Sequence, residues 1–533
     1  MIIESLPPEA VGASPLARAL AAGDPRATGL FPSPDLDAIA AGASHRDAVA
    51  DVLAEQNRAW DAPGAVLVNA ERLRDPRAVA VVTGQQLGLF AGPLYTVYKA
   101  LSAVRTAAQI EAETGRPTVP VFWLADEDHD YAEVRSATFT EGADVRTVAY
   151  DPGLGTHRPP VGRIALDARR LTATRDALGA ALPDGPHRAA VLDAVDDAYR
   201  PGRSLRDAFA RLLARLAPGL VMVSADDVRI KRLVAPLFLR EIDAWEATFD
   251  ALDARSRDLV AAGFHAQVAP APLNLFWIDD AGARRPLDPA AGDAGGGLAL
   301  RGDAPEAADV WRARAEAHPE RVSPNVVLRP LMQDTLFPTA AYVAGPGERA
   351  YFAQLAPVYA AFGVPMPAIA PRLSATLVEP GVAKVLDRYA LGVPDVRPPT
   401  DALFARLAAE TSGVDLARPF DAARADADAA IAALAPLVGD LDASHVPAVE
   451  AARVAVTKAV ERLRTTAVRL QKRRHADVGD RLARAQAALW PGGTLQERIL
   501  SPLQIAARHG FDALPEIVAG LPLDGEAHHV VRL

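Results

Sequence analysis

The stretch AVAVVTGQQLGLFAGPLYTVYKALSAVR, residues 78–105, decides the fold. It opens on Ala78 to Val82, an apolar and partly β-branched run that reads as a buried strand. A loop carrying Gly84, Gly88 and Gly92 follows, and a helix is entered through Pro93. An open α/β sheet builds an anion or nucleotide site from these three parts. Backbone approaches a ligand closely where no Cβ stands, and a helix N-terminus offers N–H groups without intrahelical partners. The spacing matches neither G-x-G-x-x-G nor G-x-x-x-x-G-K-[ST]. By itself it reads as the ligand loop of a Rossmann-like unit.

Working outward, the helix runs to about Thr114, with Leu94, Val97, Leu101 and Val104 on one face, and Gly115 and Pro117 end it. Val119 to Ala125 reads as a second buried strand, so residues 78–125 form one βαβ unit with parallel strands and a right-handed crossover. Upstream, Ser44 is placed to cap a helix from His45 to Trp60. Downstream, Thr147–Tyr150 and Arg163–Leu166 suggest short strands, and Arg170–Leu182 a helix. A helix over Ser204–Leu216 leads to a strand at Leu220–Val223. The long helix after Asp227 should break or kink near Pro236. The Gly/Asp/Ala-rich segment 289–298 reads as an exposed loop. A further unit spans 340–376. It consists of strand Ala340–Ala344, the turn Gly345-Pro346-Gly347-Glu348, helix Arg349–Phe362 and strand Pro367–Ala370, ending at Pro371-Arg372-Leu373-Ser374.

Beyond residue 380 the pattern changes. Residues 400–490 are alanine-rich and helical. Val449, Ala452, Val456, Ala459, Leu463, Ala467 and Leu470 recur at steps of three and four, a near-heptad seam on a helix of some forty residues. Its basic flank (Arg462, Arg469, Lys472, Arg473) faces an upstream segment rich in aspartate (Asp421, Asp426, Asp428, Asp440, Asp442), which suggests an antiparallel hairpin. The fold class is therefore α/β, with a Rossmann-like parallel-sheet core and a long antiparallel coiled-coil arm. The core covers residues 1–380, with inserted connecting segments at about 133–200 and 263–335. The helical domain covers 381–492, and 493–533 should pack back on the core.

Composition removes several function classes. A net charge of −10 disfavours nucleic acid as a partner. With no cysteine, disulfides, thiolate metal sites and a cysteine nucleophile are excluded. The start, MIIESLPPEAVG, lacks the basic-then-apolar order of a signal peptide. No apolar run approaches the roughly 18–20 residues of a membrane span, so a cytoplasmic protein without a membrane partner is expected.

Asp126-Glu127-Asp128-His129-Asp130 is the strongest chemical cluster. It stands at the carboxyl end of the second strand, where ligands bind in open α/β sheets. It suits a substrate amine, a Mg²⁺–phosphate or a proton in transfer, and equally an acid-rich helix start. The four carboxylates and one imidazole cannot all face one ligand. Thr83, Gln85 and Gln86 follow the first strand as ligand contacts or as turn formers. Lys99 lies two turns into its helix, a position that favours a solvated side chain over a phosphate ligand. His265 and His509 have no partners at metal-ligand spacing, and no metal site is read.

Five blocks in order resemble the BshC family of cysteine-adding enzymes of bacillithiol biosynthesis. The first is Thr83-Gly84-Gln85-Gln86 with Gly92-Pro93-Leu94-Tyr95-Thr96 and Tyr98-Lys99. The second is Pro120-Val121-Phe122-Trp123 with Glu127-Asp128-His129-Asp130 and Glu133-Val134. Gly345-Pro346-Gly347-Glu348 with Tyr351-Phe352, Pro371-Arg372-Leu373-Ser374 and Gln496-Glu497-Arg498 complete the set. Asp126 stands where a small residue is expected, and residues 380–490 match by helical character only.

The resemblance implies a carbon–nitrogen ligase that joins the carboxyl group of cysteine to the amino group of glucosaminyl malate. It also implies a homodimer formed through the coiled coil. ATP with Mg²⁺ is the activating cofactor such a reaction suggests. Compared with class I synthetases and related adenylating enzymes, the place equivalent to their histidine-bearing turn, Gly84–Lys99, has no histidine. Arg372-Leu373-Ser374 lacks the paired lysines of their late signature loop. On this basis Thr83, Gly84, Gln85, Gln86, Gly92, Pro93, Tyr95, Lys99, Gly345, Gly347, Glu348, Arg372 and Ser374 are expected to bind substrate or nucleotide. Arg372 would take phosphate or the malate carboxylate, Asp128 or Glu127 an ammonium, and His129 would be the general base. The alternatives are a dimeric scaffold that presents substrate, or a sugar-nucleotide transferase on a doubly wound fold.

Overall fold

The computed structural model describes residues 2–290, 297–412, 417–474, 476–523 and 525–533. Two compact units divide the chain. One is Met1–Glu141, Val145–Thr376 and Gln496–Val531, and the other is Gly142–Asp144, Leu377–Leu495 and Arg532–Leu533. Among the described residues no helix is long and apolar enough to cross a membrane.

The first unit is built on five strands: β1 (Val79–Gln85), β2 (Thr118–Leu124), β3 (Val221–Ser224), β4 (Thr339–Ala344) and β5 (Ala368–Pro371). Helices α1 (Leu94–Thr114), α2 (Val228–Ala261) and α3 (Pro346–Phe362) belong to the same unit. The strand order is β5-β4-β1-β2-β3 and every pairing is parallel. β1, β2 and β4 are buried almost throughout, as strands covered on both faces must be, which is why they read as unbroken apolar runs. The chain starts in the middle of the sheet, winds outward to β3, then returns to the other side of β1 as β4. The direction of winding thus reverses between β1 and β4, and such a reversal opens a crevice at the carboxyl ends of the strands. The β1–β4 ladder has an irregularity between Thr339 and Ala341 and last pairs Val82 with Tyr342. Beyond it the Thr83 hydroxyl donates to the Val343 carbonyl at 2.8 Å.

The loop read after Val82 begins later than expected. Thr83, Gly84 and Gln85 continue β1 and pair with Phe122, Trp123 and Leu124. Gly84 is glycine because a Cβ there would lie 2.8 Å from the Trp123 carbonyl oxygen, so the demand comes from strand packing. The turn that follows is compact and buried. Phe90, Ala91 and Gly92 are all left-handed (φ 53°, 71° and 68°), and a Cβ on Gly88 would meet Gly92 Cα at 2.6 Å. Two bonds pin it. The Phe90 N–H donates to the Tyr199 hydroxyl at 2.8 Å, and the Leu94 N–H, first of α1, donates to the Leu500 carbonyl at 2.8 Å.

Other expectations shift as well. α2 contains Pro236 without breaking there. Its irregular residue is Ala244 (φ −141°, ψ 31°), and the Glu241 carboxylate on one side of that bend accepts the Thr248 hydroxyl from the other at 2.8 Å. Thr147–Tyr150 falls in a hairpin of Ser136–Glu141 and Asp144–Ala149. Arg163–Leu166 is no strand: a 3₁₀ turn over Val161–Arg163 is followed by a single bridge from Ala165 to Ser204. Of the exposed loop read at 289–298, Pro289 ends strand Arg284–Pro289, and Gly297 and a buried Leu298 open strand Gly297–Leu300. The two strands pair antiparallel, while residues 291–296 are outside the described set. Those strands belong to a second five-stranded sheet with Leu275–Ile278, Glu306–Ala307 and Val322–Pro324.

In the second unit, α4 (Ala417–Ala432) packs on α5 (Val446–Arg474). Arg453 pairs with Asp428 at 2.7 Å and Arg464 with Asp421 at 3.5 Å, a crossing order that makes the two helices antiparallel. These arginines make the pairing expected of the basic flank. Arg462 and Arg469 are exposed, and the side chains of Lys472 and Arg473 lie outside the described set. Of the forty-residue helix, Val446–Arg474 (α5) and Ala476–Leu489 are helical, and residue 475 lies outside the described residues. The predicted seam also splits. Val449, Val456 and Ala467 are buried or half-buried, whereas Ala452, Ala459, Leu463 and Leu470 are exposed.

Candidate active site

A cavity of about 660 Å³ opens at the carboxyl ends of β1, β2 and β4, at the crevice where the winding reverses. Of the residues singled out in the sequence, Gly84, Gln85, Gln86, Tyr95, Lys99, Glu127, Asp128, His129, Gly345, Gly347, Glu348 and Arg372 line it. Thr83, Gly92, Pro93 and Ser374 do not. Thr83 braces the two strand ends, Gly92 and Pro93 shape the buried turn into α1, and Ser374 bonds Glu497 behind the wall.

Lys99 is not a solvated lysine. Its side chain is 1% exposed and its ammonium pairs with Glu348 Oε2 at 2.6 Å. It also donates to the Gly84 carbonyl and to Gln85 Oε1, at 3.2 Å for the latter. Three acceptors take its three protons. Burial pushes its pKa down and Glu348 opposes this. Glu348 in turn accepts the Tyr342 hydroxyl at 2.7 Å and the Gly345 N–H at 2.8 Å. Lys99 therefore ties the end of β1 to the start of α3 across the crevice.

The acidic cluster disperses, because it follows β2 as an irregular turn and its side chains leave in different directions. Asp126 is fully buried, accepts the Ser224 hydroxyl, and is pushed up to about 7 by burial and then by Asp226. Glu127 is bound by the buried ammonium of Lys231, so its expected role as an ammonium holder is already filled from within the protein. Asp130 caps the short helix Tyr131–Val134. Asp128 is left facing the cavity. It accepts Gln86 Nε2 at 2.8 Å and the His129 N–H at 2.7 Å. Burial works to raise its pKa, but Gln86, Arg284 and the backbone N–H groups of 130 and 129 outweigh it, and the carboxyl is held below its ordinary range.

His129 does not suit the expected base. Arg284 Nη1 lies 3.0 Å from its Nδ1, and a guanidinium can only donate. Nδ1 is then the acceptor and the proton sits on Nε2. Burial and then Arg284 lower the pKa of the ring, which keeps it neutral. The lone pair a base needs is already used, and what His129 can offer a ligand is the Nε2–H. Arg284 itself is fixed by the Ser323 hydroxyl (2.9 Å), the Pro324 carbonyl (2.8 Å) and the face of Phe276 (3.7 Å).

Arg372 reaches the wall, but its fork is occupied by Glu497 at 3.0 and 2.5 Å. Ser374 and the Ala375 N–H also bond Glu497, at 3.0 and 3.1 Å. His528 extends this network, with Nδ1 at 2.7 Å from the Ser374 hydroxyl and Nε2 at 2.8 Å from that of Thr376, and burial pushes it down to about 4. The expected anion ligand is thus a neutralised structural pair. Two other arginines of the cavity, Arg329, not singled out in the sequence, and Arg498, named there only within the Gln496-Glu497-Arg498 block, have no carboxylate within ion-pair distance among the described residues. Arg329 donates to Gln333 (3.1 Å) and Tyr351 (3.1 Å) beside Trp123 and Tyr342, and Arg498 is at the rim near Tyr95. The cavity carries Lys99, Arg284, Arg329, Arg372 and Arg498 against Glu127, Asp128 and Glu348, a balance that suits an anionic ligand.

At the start of α1 the Leu94 N–H is taken by the Leu500 carbonyl, while Tyr95 of the same turn lines the cavity. Among the described residues no group of three or more His, Asp or Glu is placed to hold a metal ion.

Comparison with known proteins covers almost the whole chain. A family model described as "Bacillithiol biosynthesis BshC, N-terminal Rossmann-like domain" matches residues 34–373, and "Bacillithiol biosynthesis BshC, C-terminal coiled-coil domain" matches 375–533. A Salinibacter ruber protein named "Putative cysteine ligase BshC" is 42% identical over 489 residues, covering 91% of this chain and 88% of that protein. Proteins of the same name from Chlorobaculum tepidum and Koribacter versatilis are 33% and 35% identical, each over 92% of this chain and over 89% and 90% of their own lengths.

Proposed function

The chain belongs to the BshC family of bacillithiol biosynthesis, and from that premise we propose that it is a ligase forming the amide between the cysteine carboxyl and the amino group of glucosaminyl malate. The observation that carries the reading is the cavity wall at Asp128 and His129. An ionised carboxylate stands there beside a neutral imidazole that presents an N–H, inside a cavity of net positive lining. The amino group of the sugar is drawn to Asp128, which orients it and accepts a proton as the nitrogen attacks. His129 Nε2–H is suited to the oxygen that gains negative charge on the attacked carboxyl carbon. The dicarboxylate end of glucosaminyl malate is drawn to the cations without carboxylate partners, Arg329 and Arg498.

Amide formation from a free carboxylate in water needs an activating co-substrate, and ATP is the proposed one. The reading is tested by following the free amine. Purified protein given L-cysteine, glucosaminyl malate and ATP should consume amine in step with ATP cleavage. ATP cleavage without loss of amine, or neither, contradicts it.

A homodimer through the helical unit is part of the same proposal. Leu463 (62% exposed) and Leu470 (59%) stand seven residues apart on α5, away from the face that meets α4. An exposed a/d-type stripe of this kind suits a second copy. Leu463→Glu/Leu470→Glu should convert a dimer to a monomer in analytical ultracentrifugation. A wild-type monomer, or a variant dimer as stable as wild type, would count against it.

A further inference from the structure

We infer that a second cavity, which shares a wall with the first, seats the amino-acid substrate. The inference rests on the ligase reading and adds to it where one of the two reactants sits. The second cavity has about 580 Å³ and shares Gln86, Asp128 and His129 with the first as lining. A two-substrate ligase must bring an amine and a carboxyl together without either blocking the other's approach. Two cavities that share lining residues meet that demand, and two of those residues, Asp128 and His129, are the ones the chemistry uses.

Charge decides which reactant goes where. The second cavity sets Asp128, Asp130, Glu133 and Asp151 against Arg135 and Arg158, with Asp151 also paired to Arg170 at 3.4 Å, a more acidic balance than that of the first. An anionic amino-sugar conjugate is repelled from it, whereas a zwitterionic α-amino acid finds carboxylates for its ammonium. Glu133 has no ion-pair partner among the described residues, and Asp130 keeps one carboxylate oxygen free of its capping bond. Leu154 and Pro152 add apolar wall of the kind an uncharged thiol side chain accepts. With the ammonium held at the acidic side, the carboxyl end points to the His129 wall. The cavity is roomier than an amino acid needs, which leaves space at the carboxyl for the group that activates it.

Ala132 provides the test, because it is exposed and lines only the second cavity. Isothermal titration of the full chain with L-cysteine and, separately, with glucosaminyl malate reads the two cavities independently of turnover. Ala132→Trp should weaken cysteine at least about tenfold, or 1.4 kcal/mol, and leave glucosaminyl malate within about twofold. Glu133→Gln, which changes charge and not size, should weaken cysteine in the same selective way. The inference is overturned if wild type does not bind cysteine, if both variants leave cysteine affinity unchanged, or if they weaken both ligands equally. Selective loss of cysteine binding in a protein that makes no amide product would retire the ligase reading and leave the site standing. Product formation with an unchanged cysteine KM in both variants would do the opposite.

Discussion

Glu497→Ala should destabilise the core unit by about 3–5 kcal/mol, the cost of stranding one half of a buried ion pair. The Arg372 and Glu497 side chains are only 5% and 2% exposed, and their bidentate contact is the only neutralisation either receives at ion-pair distance among the described residues. Burial tends to raise the Glu497 pKa, yet Arg372 holds it below the ordinary value, so the carboxylate is ionised and its removal uncovers a full charge. The same carboxylate also collects the Ser374 hydroxyl and the Ala375 N–H, whose donors would be orphaned with it. Arg372→Met/Glu497→Leu should recover the part of the loss due to the stranded charge, because two apolar groups of similar volume need no partner, while the Ser374 and Ala375 donors stay unpaired. Urea unfolding of the three variants measures this. A single-variant loss under about 1 kcal/mol, or a double variant no better than the single, would show that Arg372 is not neutralised as described and return it to the pool of ligand-binding arginines.

Asp128→Asn is expected to reduce amide formation at least about a hundredfold, the usual scale for a positioned proton acceptor, with little change in stability. Asparagine Oδ1 can still accept the backbone N–H groups of 129 and 130, and its amide can donate to a turned Gln86 Oε1, so the turn persists while the charge that draws the amine is lost. His129→Gln discriminates the two roles open to the imidazole. Glutamine keeps an N–H donor and cannot act as a base, so retention of activity within about tenfold fits a donor, and a loss as deep as that of Asp128→Asn fits a base.

The sheet was legible in the sequence because its strands are buried on both faces and so announce themselves as short β-branched runs. The site was legible where it depends on local chain direction: Asp128, His129 and Glu348 stand at strand ends, and strand ends are where ligands gather. What could not be read was set by partners distant in sequence. Lys99 is buried because Glu348 meets it from another strand-to-helix turn. Glu127 is consumed by Lys231, and Arg372 by Glu497. Arg284 and Arg329 drew no notice, since the chain is rich in arginine and nothing local separates a cavity arginine from a surface one. The glycine loop misled for a related reason. Gly84, Gly88 and Gly92 are demanded by close packing of backbone against Trp123 and against one another, a need that looks the same in sequence as a ligand's approach.

The coiled coil shows the limit of periodicity. A run at steps of three and four was read as one seam, but it serves two faces of α5, one against α4 and one toward solvent. Spacing identifies apolar positions and does not assign them to a partner.

The central claim is that this cavity joins cysteine to glucosaminyl malate, and mass spectrometry of the products tests it most directly. Wild type and Asp128→Asn would each be incubated with L-cysteine, glucosaminyl malate and ATP. Wild type should yield the cysteinyl amide, of mass equal to the two substrates less one water, and Asp128→Asn only a trace of it. Absence of that mass with folded wild type, or equal yields from both proteins, would contradict the account.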